Sequence, residues 1–460
     1  MELYFSGKPI FQQEAKHILN RRGVEVLAKM KVFPYHGTLS GAVQVPPSKY
    51  HLHRALIFGS LAEGETVIHG KSNALHIKDT LNSLKDFGVE IKHLDNGYIV
   101  KGGAYNPRNG NIRVGSSGST LQFMLGLGSL SQGVAPIYNG HKALRERPIG
   151  PLLKALQDMG VELSSTNQKM PVTIQPGRPK GGHIQLPGTL SQWISGLLIL
   201  APFATQDTII EALPPHNELT YVQLTIQMLR QFGIQIEEDP SGTKWRVPAG
   251  QSYRPTEVHI EPDLSSAAFL LVMAALYPSN VLLKGITDKG THPENEILDI
   301  IRKVGIPMSY DESEGGLRIN HAGIRPKGGL EIDLKHIPDL LPALSVLAAC
   351  SEGQTVLSNI GPGRMKESNR VKAMMQLNKM GARIEEVGDN LIIQGVEQLR
   401  GTSISTYNDH RIQMAFTMAA LRSEELPTEL SFPNAYKISY PEFFDQLAAI
   451  GVNAKFETTN

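Results

Sequence analysis

The sequence predicts an α/β protein of two lobes, each built from three βαβαββ units, and three recurring features predict it. The first is a glycine between two apolar residues, seen as Phe87-Gly88-Val89, Met159-Gly160-Val161, Phe232-Gly233-Ile234, Val304-Gly305-Ile306, Met380-Gly381-Ala382 and Ile450-Gly451-Val452. These six recur at roughly 70 residues, too long for a solenoid repeat and suited to a compact βαβαββ unit. The second is an amphipathic stretch that runs into each glycine, and the third is a small-residue helix that leads into a strand earlier in most units. Each glycine is expected to end its helix in a left-handed cap before the chain turns into a strand.

In chain order, residues before Lys31 read as a mixed-charge extension with one helical patch, Glu14 to Leu27, and no identifiable chemistry. Ala55 to Leu61 then forms a small-residue helix followed by the strand Thr66-Val67-Ile68, and Ala267 to Leu276 followed by Val281-Leu282-Leu283 repeats the pattern. Apolar periodicity places amphipathic helices at Ile77 to Phe87, Pro151 to Met159, Tyr221 to Phe232, Glu294 to Val304, Asn369 to Met380 and Pro441 to Ile450. Pro255 and Pro262 punctuate the stretch around Gln251 to Glu261, which marks the end of the third unit. A cleft between the two lobes is the natural ligand site.

Composition narrows the class to a globular enzyme. The chain has 460 residues, 45 basic and 44 acidic, so its net charge of +1 steers it toward neither nucleic acid nor an anionic membrane. The single cysteine, Cys350, lies in an apolar run, which predicts a core position and excludes an intrachain disulfide framework. Apolar stretches such as Ile194 to Ala204 fall short of the roughly 20 residues of a membrane span, and Met1 to Met30 lacks a signal-peptide core. A cytoplasmic location is expected.

Charged clusters recur where the chain leaves a strand and enters the second helix of a unit. They are Arg145-Glu146-Arg147-Pro148, the run Arg364 to Arg370, and Asn408-Asp409-His410-Arg411 at the start of a late helix. In the run, Arg364, Lys366 and Arg370 are expected to converge on Glu367, although a solvated helix face is the competing reading. With Ser48-Lys49 and Arg54, these clusters suit a small, multiply anionic ligand held by helix N-termini and guanidinium forks. Gly115 to Thr120 is either an anion cradle or a plain turn into a helix, and Asp339 is either a functional carboxylate or an N-cap. No second His or Cys stands at metal-ligand spacing from His410, so no metal site is expected.

These residues resemble the 5-enolpyruvylshikimate-3-phosphate synthase family. The resemblance is carried by Lys-Glu-Ser-Asn-Arg at 366–370, Asn-Asp-His-Arg at 408–411, Arg-Glu-Arg-Pro at 145–148 and Pro-Pro-Ser-Lys-Tyr at 46–50 with Arg54. Ser191-Gln192, Glu261-Pro262-Asp263 with Ser265-Ser266, and Ile337-Pro338-Asp339 add to it, in family order from Lys31 onward. The resemblance implies a two-lobed inverse α/β barrel. Residues 1–30 would be an extension, 47–261 the N-terminal lobe, and 31–46 with 262–460 the C-terminal lobe. It implies transfer of the enolpyruvyl group of phosphoenolpyruvate to an acceptor hydroxyl, shikimate 3-phosphate first, with release of phosphate through a tetrahedral intermediate. Neither metal nor organic cofactor is implied, and a monomer is expected.

Carried over by motif, Lys49, Gly118, Arg147, Gln192, Arg370 and Arg411 would hold phosphoenolpyruvate. Arg54, Ser191, Gln192, Tyr221, Asp339 and Lys366 would hold the acceptor. Glu367 and Asp339 are the candidates for the two proton transfers, with Lys49 sharing them and His410 supporting. Several positions depart from the family pattern: Tyr50 replaces a small hydroxyl, His53 an Asn, Gln122 an Arg, Leu190 a Ser, Pro362 an Asn and Asn369 an Asp. Ile438 replaces a lysine, and Lys437 lies one place too early. Because Tyr50, Leu190 and Pro362 fall on the acceptor side, two alternatives stand. One is the same chemistry on a nucleotide or sugar phosphate, with Tyr50 stacking on a ring; the other is a non-catalytic binding protein.

Overall fold

The computed structural model of the protein describes residues 18–19, 25–26 and 28–459 apart from Lys289. Among these, six four-stranded sheets share one plan: a parallel pair is extended by two antiparallel strands. In the first, Glu257–His259 lies parallel to Gly64–His69, followed by Gly97–Gly102 and Glu90–Leu94. In another, Leu39–Gln44 lies parallel to Ser279–Lys284, followed by Gly316–His321 and Met308–Asp311. Lys29–Val32 takes the third place in the last sheet, between Thr428–Ser431 and Phe456–Thr459. The unit predicted from spacing is therefore present six times, and three of the six sheets take one strand from a distant part of the chain.

All six marker glycines have positive φ, between 84° and 92°. Each ends a helix in the same way: the glycine N–H donates three residues back, and the next N–H donates five back, as in Gly88 to Lys85 and Val89 to Leu84. This pairing satisfies carbonyls that a helix end leaves without partners. The helices entering them are Leu75–Asp86, Gly150–Asp158, Leu219–Gln231, Glu296–Lys303, Arg370–Met374 and Phe443–Ala449. The fifth is shorter than the sequence suggests, because the chain tightens into a 3₁₀ turn over Met375–Met380. In the N-terminal extension, Ile18–Leu19 and Glu25–Val26 pair as antiparallel strands instead of the expected helix, and the rest of that patch lies outside the described residues.

Buried apolar side chains form two clusters, one drawn from residues 50–258 and the other from 30–45 and 264–452. Each has three helices at its centre. In the first these are Lys49–Leu61, Gly118–Met124 and Ser191–Leu200; in the second, Leu264–Leu276, Leu341–Cys350 and His410–Leu421. Four of the six have every residue buried, which is why stretches such as Ala55 to Leu61 and Ala267 to Leu276 lack a polar face. Cys350 is buried at the end of one, as expected. Among the described residues no helix is long and apolar enough to cross a membrane.

Candidate active site

Four of the six central helices start at one pocket, and Leu264–Leu276 and His410–Leu421 start behind its wall, where Arg411 bonds the Tyr50 hydroxyl, so helix N-termini bring partial positive charge to this place. Their first residues carry the chemistry. Lys49 opens one helix, and its N–H donates to Asp263 Oδ2 at 3.0 Å while Asp263 caps the helix Leu264–Leu276. Gly118 opens another, where a Cβ would stand 2.7 Å from Arg147 Nη1, so only glycine lets that guanidinium approach. Asp409 caps His410–Leu421 by accepting from the Arg411 N–H at 2.9 Å. Asp339 precedes Leu341–Cys350 in a 3₁₀ turn and caps nothing, leaving its carboxylate for the site. The charges expected at each unit's second helix stand at least as often at the first.

Charges from distant segments pair across this pocket. Arg370, fully buried, donates to Asp339 Oδ1 and Glu367 Oε2 at 2.6 Å each and to Asp409 Oδ2 at 2.9 Å. Arg147 Nη2 lies 3.2 Å from Glu367 Oε1. Lys366 pairs with Glu218 and lies 3.6 Å from Asp339. Arg364 turns outward to Glu386 at 2.8 Å, so the predicted convergence on Glu367 is corrected: of the three cations only Arg370 touches it, and Arg147 replaces the others. Arg145 likewise bonds its own loop at Gly140, and Glu146 bonds Lys169.

Burial resists ionisation of Asp339, yet Arg411, Lys366, Arg370 and Lys49 together hold its carboxyl well below the usual range. Burial opposes ionisation of Glu367 too, and Arg147 and Arg370 overcome it. The same surroundings therefore favour the ionised form of both. Burial and the neighbouring Arg411 lower the Lys49 ammonium. Burial also pushes His410 well below the ordinary imidazole value, and neither ring nitrogen has a hydrogen-bond partner among the described residues. The atoms of Glu367, Asp409 and His410 lie within 4.8 Å of one another, but the Arg370 guanidinium already bridges the two carboxylates.

Lys49, Gly118, Arg147, Gln192, Asp339, Lys366 and Glu367 line the pocket, with Tyr50, His76 and Glu218. Arg54, Ser191 and Tyr221 line an adjoining recess that shares Tyr50, Gln192, Asp339 and Lys366. Arg370, His410 and Arg411 are buried behind these walls. Arg54 is spent on protein contacts, donating to Thr225 Oγ1 and to the Tyr50 and Tyr221 carbonyls at 2.8 to 3.0 Å. The Gly115 loop is pinned by Asp79, which accepts the Ser116 N–H at 2.9 Å, so that amide is unavailable for an anion.

Sequence reasoning missed Glu218. Its carboxylate accepts from Ser191 Oγ at 2.8 Å and pairs with Lys366, joining two residues assigned to the acceptor. Its backbone is left-handed at φ 58°, held where its N–H donates to Lys335 at 3.0 Å. In the sequence Asp409 stands out only as part of Asn-Asp-His-Arg, and no motif singles out Glu294. Glu294 accepts from Tyr221 at 2.7 Å and from Ser265, and burial raises its carboxyl to about 7.

The model of the family described as "EPSP synthase (3-phosphoshikimate 1-carboxyvinyltransferase)" matches residues 35–447. The chain belongs to the EPSP synthase family. It is 34% identical over 421 residues to a 3-phosphoshikimate 1-carboxyvinyltransferase of Methanococcus maripaludis, covering 90% of this chain and 97% of that protein. It is 36% identical over 431 residues to one from Methanothrix thermoacetophila, covering 92% and 98%. A solved EPSP synthase from Acinetobacter baumannii superposes with a TM-score of 0.76 at 27% identity, covering 94% of this chain and 100% of that one.

Against the pattern of the EPSP synthase family, the departures now have places. Tyr50 does not offer its face for stacking. It packs edge-on against Tyr221, donates its hydroxyl to Asp339 and accepts from Arg411 Nη2 at 2.7 Å. Leu190 and Gln122 line the pocket, and Pro362 does not. Lys437 is exposed, with its ammonium 5.7 Å over the Tyr436 ring, and Ile438 is buried. Neither of those two lines the pocket or its recess.

Proposed function

We propose that this member of the EPSP synthase family transfers the enolpyruvyl group of phosphoenolpyruvate to shikimate 3-phosphate, releasing phosphate, in aromatic amino-acid biosynthesis. The observation that carries the reading is a single pocket in which Lys49, Arg147 and Lys366 face two ionised carboxylates, Asp339 and Glu367. Two phosphorylated anions need such cations, and the chemistry needs two proton-transfer groups. The acceptor hydroxyl adds to C2 of phosphoenolpyruvate while its methylene carbon gains a proton. Phosphate then leaves that intermediate as the methyl group gives up a proton.

Lys49, Gly118, Arg147, Gln192, Arg370 and Arg411 serve phosphoenolpyruvate, with Arg370 and Arg411 acting from behind the wall. Arg54, Ser191, Gln192, Tyr221, Asp339 and Lys366 serve the acceptor, with Glu218 orienting Ser191 and Lys366. A carboxylate held ionised by two guanidinium groups begins as a base, so Asp339 takes the hydroxyl proton and Glu367 takes the methyl proton in the second step. Lys49, its ammonium lowered by burial, is the readier donor to the methylene carbon. His410 supports Glu367 as a neutral ring.

The two apolar clusters and the six-sheet plan support a two-lobed inverse α/β barrel, with 47–261 as one lobe, 31–46 and 262–460 as the other, and 1–30 as an extension. A cytoplasmic monomer needing no cofactor completes the reading. Phosphate release from phosphoenolpyruvate with shikimate 3-phosphate tests it. Glu367→Gln and Asp339→Asn should each lower kcat by about 100-fold or more, the usual contribution of a positioned acid or base. Folded variants that turn over like the parent would remove these roles.

A further inference from the structure

We propose that His69, His259 and Glu257 form a binding site for one divalent cation of the zinc class, away from the pocket. The two strands that carry them run parallel, and their register sets His259 directly opposite His69. Side chains alternate along a strand, so Glu257, two residues before His259, shares its face. The two imidazole rings stack with centroids 4.3 Å apart and planes within 12°. Glu257 Oε1 lies 2.6 Å from His69 Nε2 and 3.8 Å from His259 Nε2, and one donor atom from each residue falls within 4.8 Å of the others.

Two imidazole nitrogens and a carboxylate oxygen are donors that zinc accepts at about 2.0–2.2 Å. Tetrahedral bonds of that length place donors roughly 3.3 Å apart, between the two distances seen, and a fourth position is left to water. Stacked rings direct their Nε2 lone pairs side by side, so one ring must turn to share an ion, and the exposure of all three side chains leaves room for that turn. No sequence spacing could reveal the set, because His69 and Glu257 are 188 residues apart. A bound ion would strap Glu257–His259 to Gly64–His69 just before the chain reaches Asp263, which holds the Lys49 N–H.

Calorimetric titration of the tag-free, chelator-treated full chain with Zn²⁺ tests the site, with His259→Ala, His69→Ala and Glu257→Gln as variants. One equivalent should bind and raise Tm. Each histidine variant should weaken that equivalent by about ten-fold or more, since even outer-sphere changes at metal sites cost that much, while turnover without zinc stays at the parent level. Absence of a one-equivalent site in the parent would overturn the proposal. So would the same affinity and Tm rise in a folded His259→Ala chain.

Discussion

Tyr50 shows what a single residue does in this site. Its hydroxyl stands between Asp339 and Arg411, where the family pattern has a small hydroxyl, and its ring is buried against Tyr221. Tyr50→Phe removes a partner from each of two buried charged groups, which should cost about 1–3 kcal/mol of unfolding free energy, read by urea titration. An unchanged midpoint would mean that neither group depends on the phenol. The cations and the Asn-Asp-His-Arg run were legible in the sequence because each is compact and local. Glu218 was not, since its partners Ser191 and Lys366 lie 27 and 148 residues away and no short pattern joins them. Arg364 was misread for the same reason, because adjacency in sequence suggested a cluster while its side chain reaches the strand residue Glu386.

At the scale of elements, the glycine caps carry the repeat. Gly381 has φ 89°, and a Cβ there would meet nothing within 4 Å, so a substitution probes backbone conformation alone. Gly381→Ala should lower stability by about 1–2 kcal/mol, the cost of left-handed backbone for an L-residue, and leave kcat unchanged. Gly381→Asn should recover part of it, because Asn tolerates that region. A stability equal to the parent in both would show that the cap contributes nothing. These caps were legible because a helix end is signalled by its own residues. The exchange of Lys29–Val32 into a sheet with Thr428–Ser431 and Phe456–Thr459 is fixed by pairing with residues at the other end of the chain, which local periodicity does not encode. The same limit explains the extension, where Ile18–Leu19 and Glu25–Val26 pair as strands despite a helical pattern.

The whole molecule is predicted to be acid-sensitive. Burial lowers His51, His76 and His292 to about 3, and His53 and His410 well below their ordinary value. Unfolded histidine takes up its proton near pH 6.5, so these five bind protons only on unfolding, and stability is lost as pH falls below about 6.5. Glu294 and Asp79, raised by burial to about 7 and about 6, work in the opposite sense in that range but are fewer. Asp339 and Glu367 lose their contribution only below the usual carboxylate range. The urea midpoint should therefore drop between pH 7.5 and 5.5, and a midpoint that holds or rises would contradict the assigned histidine states. The proposed function rests on helix starts from both apolar clusters meeting at one pocket. The most direct test of that claim is a ³¹P NMR time course of phosphoenolpyruvate and shikimate 3-phosphate with the protein. One inorganic phosphate should form for each phosphoenolpyruvate consumed, with a matching shift of the acceptor's ester signal. Phosphoenolpyruvate that persists beside folded protein, or phosphate released without change in the acceptor, would contradict it.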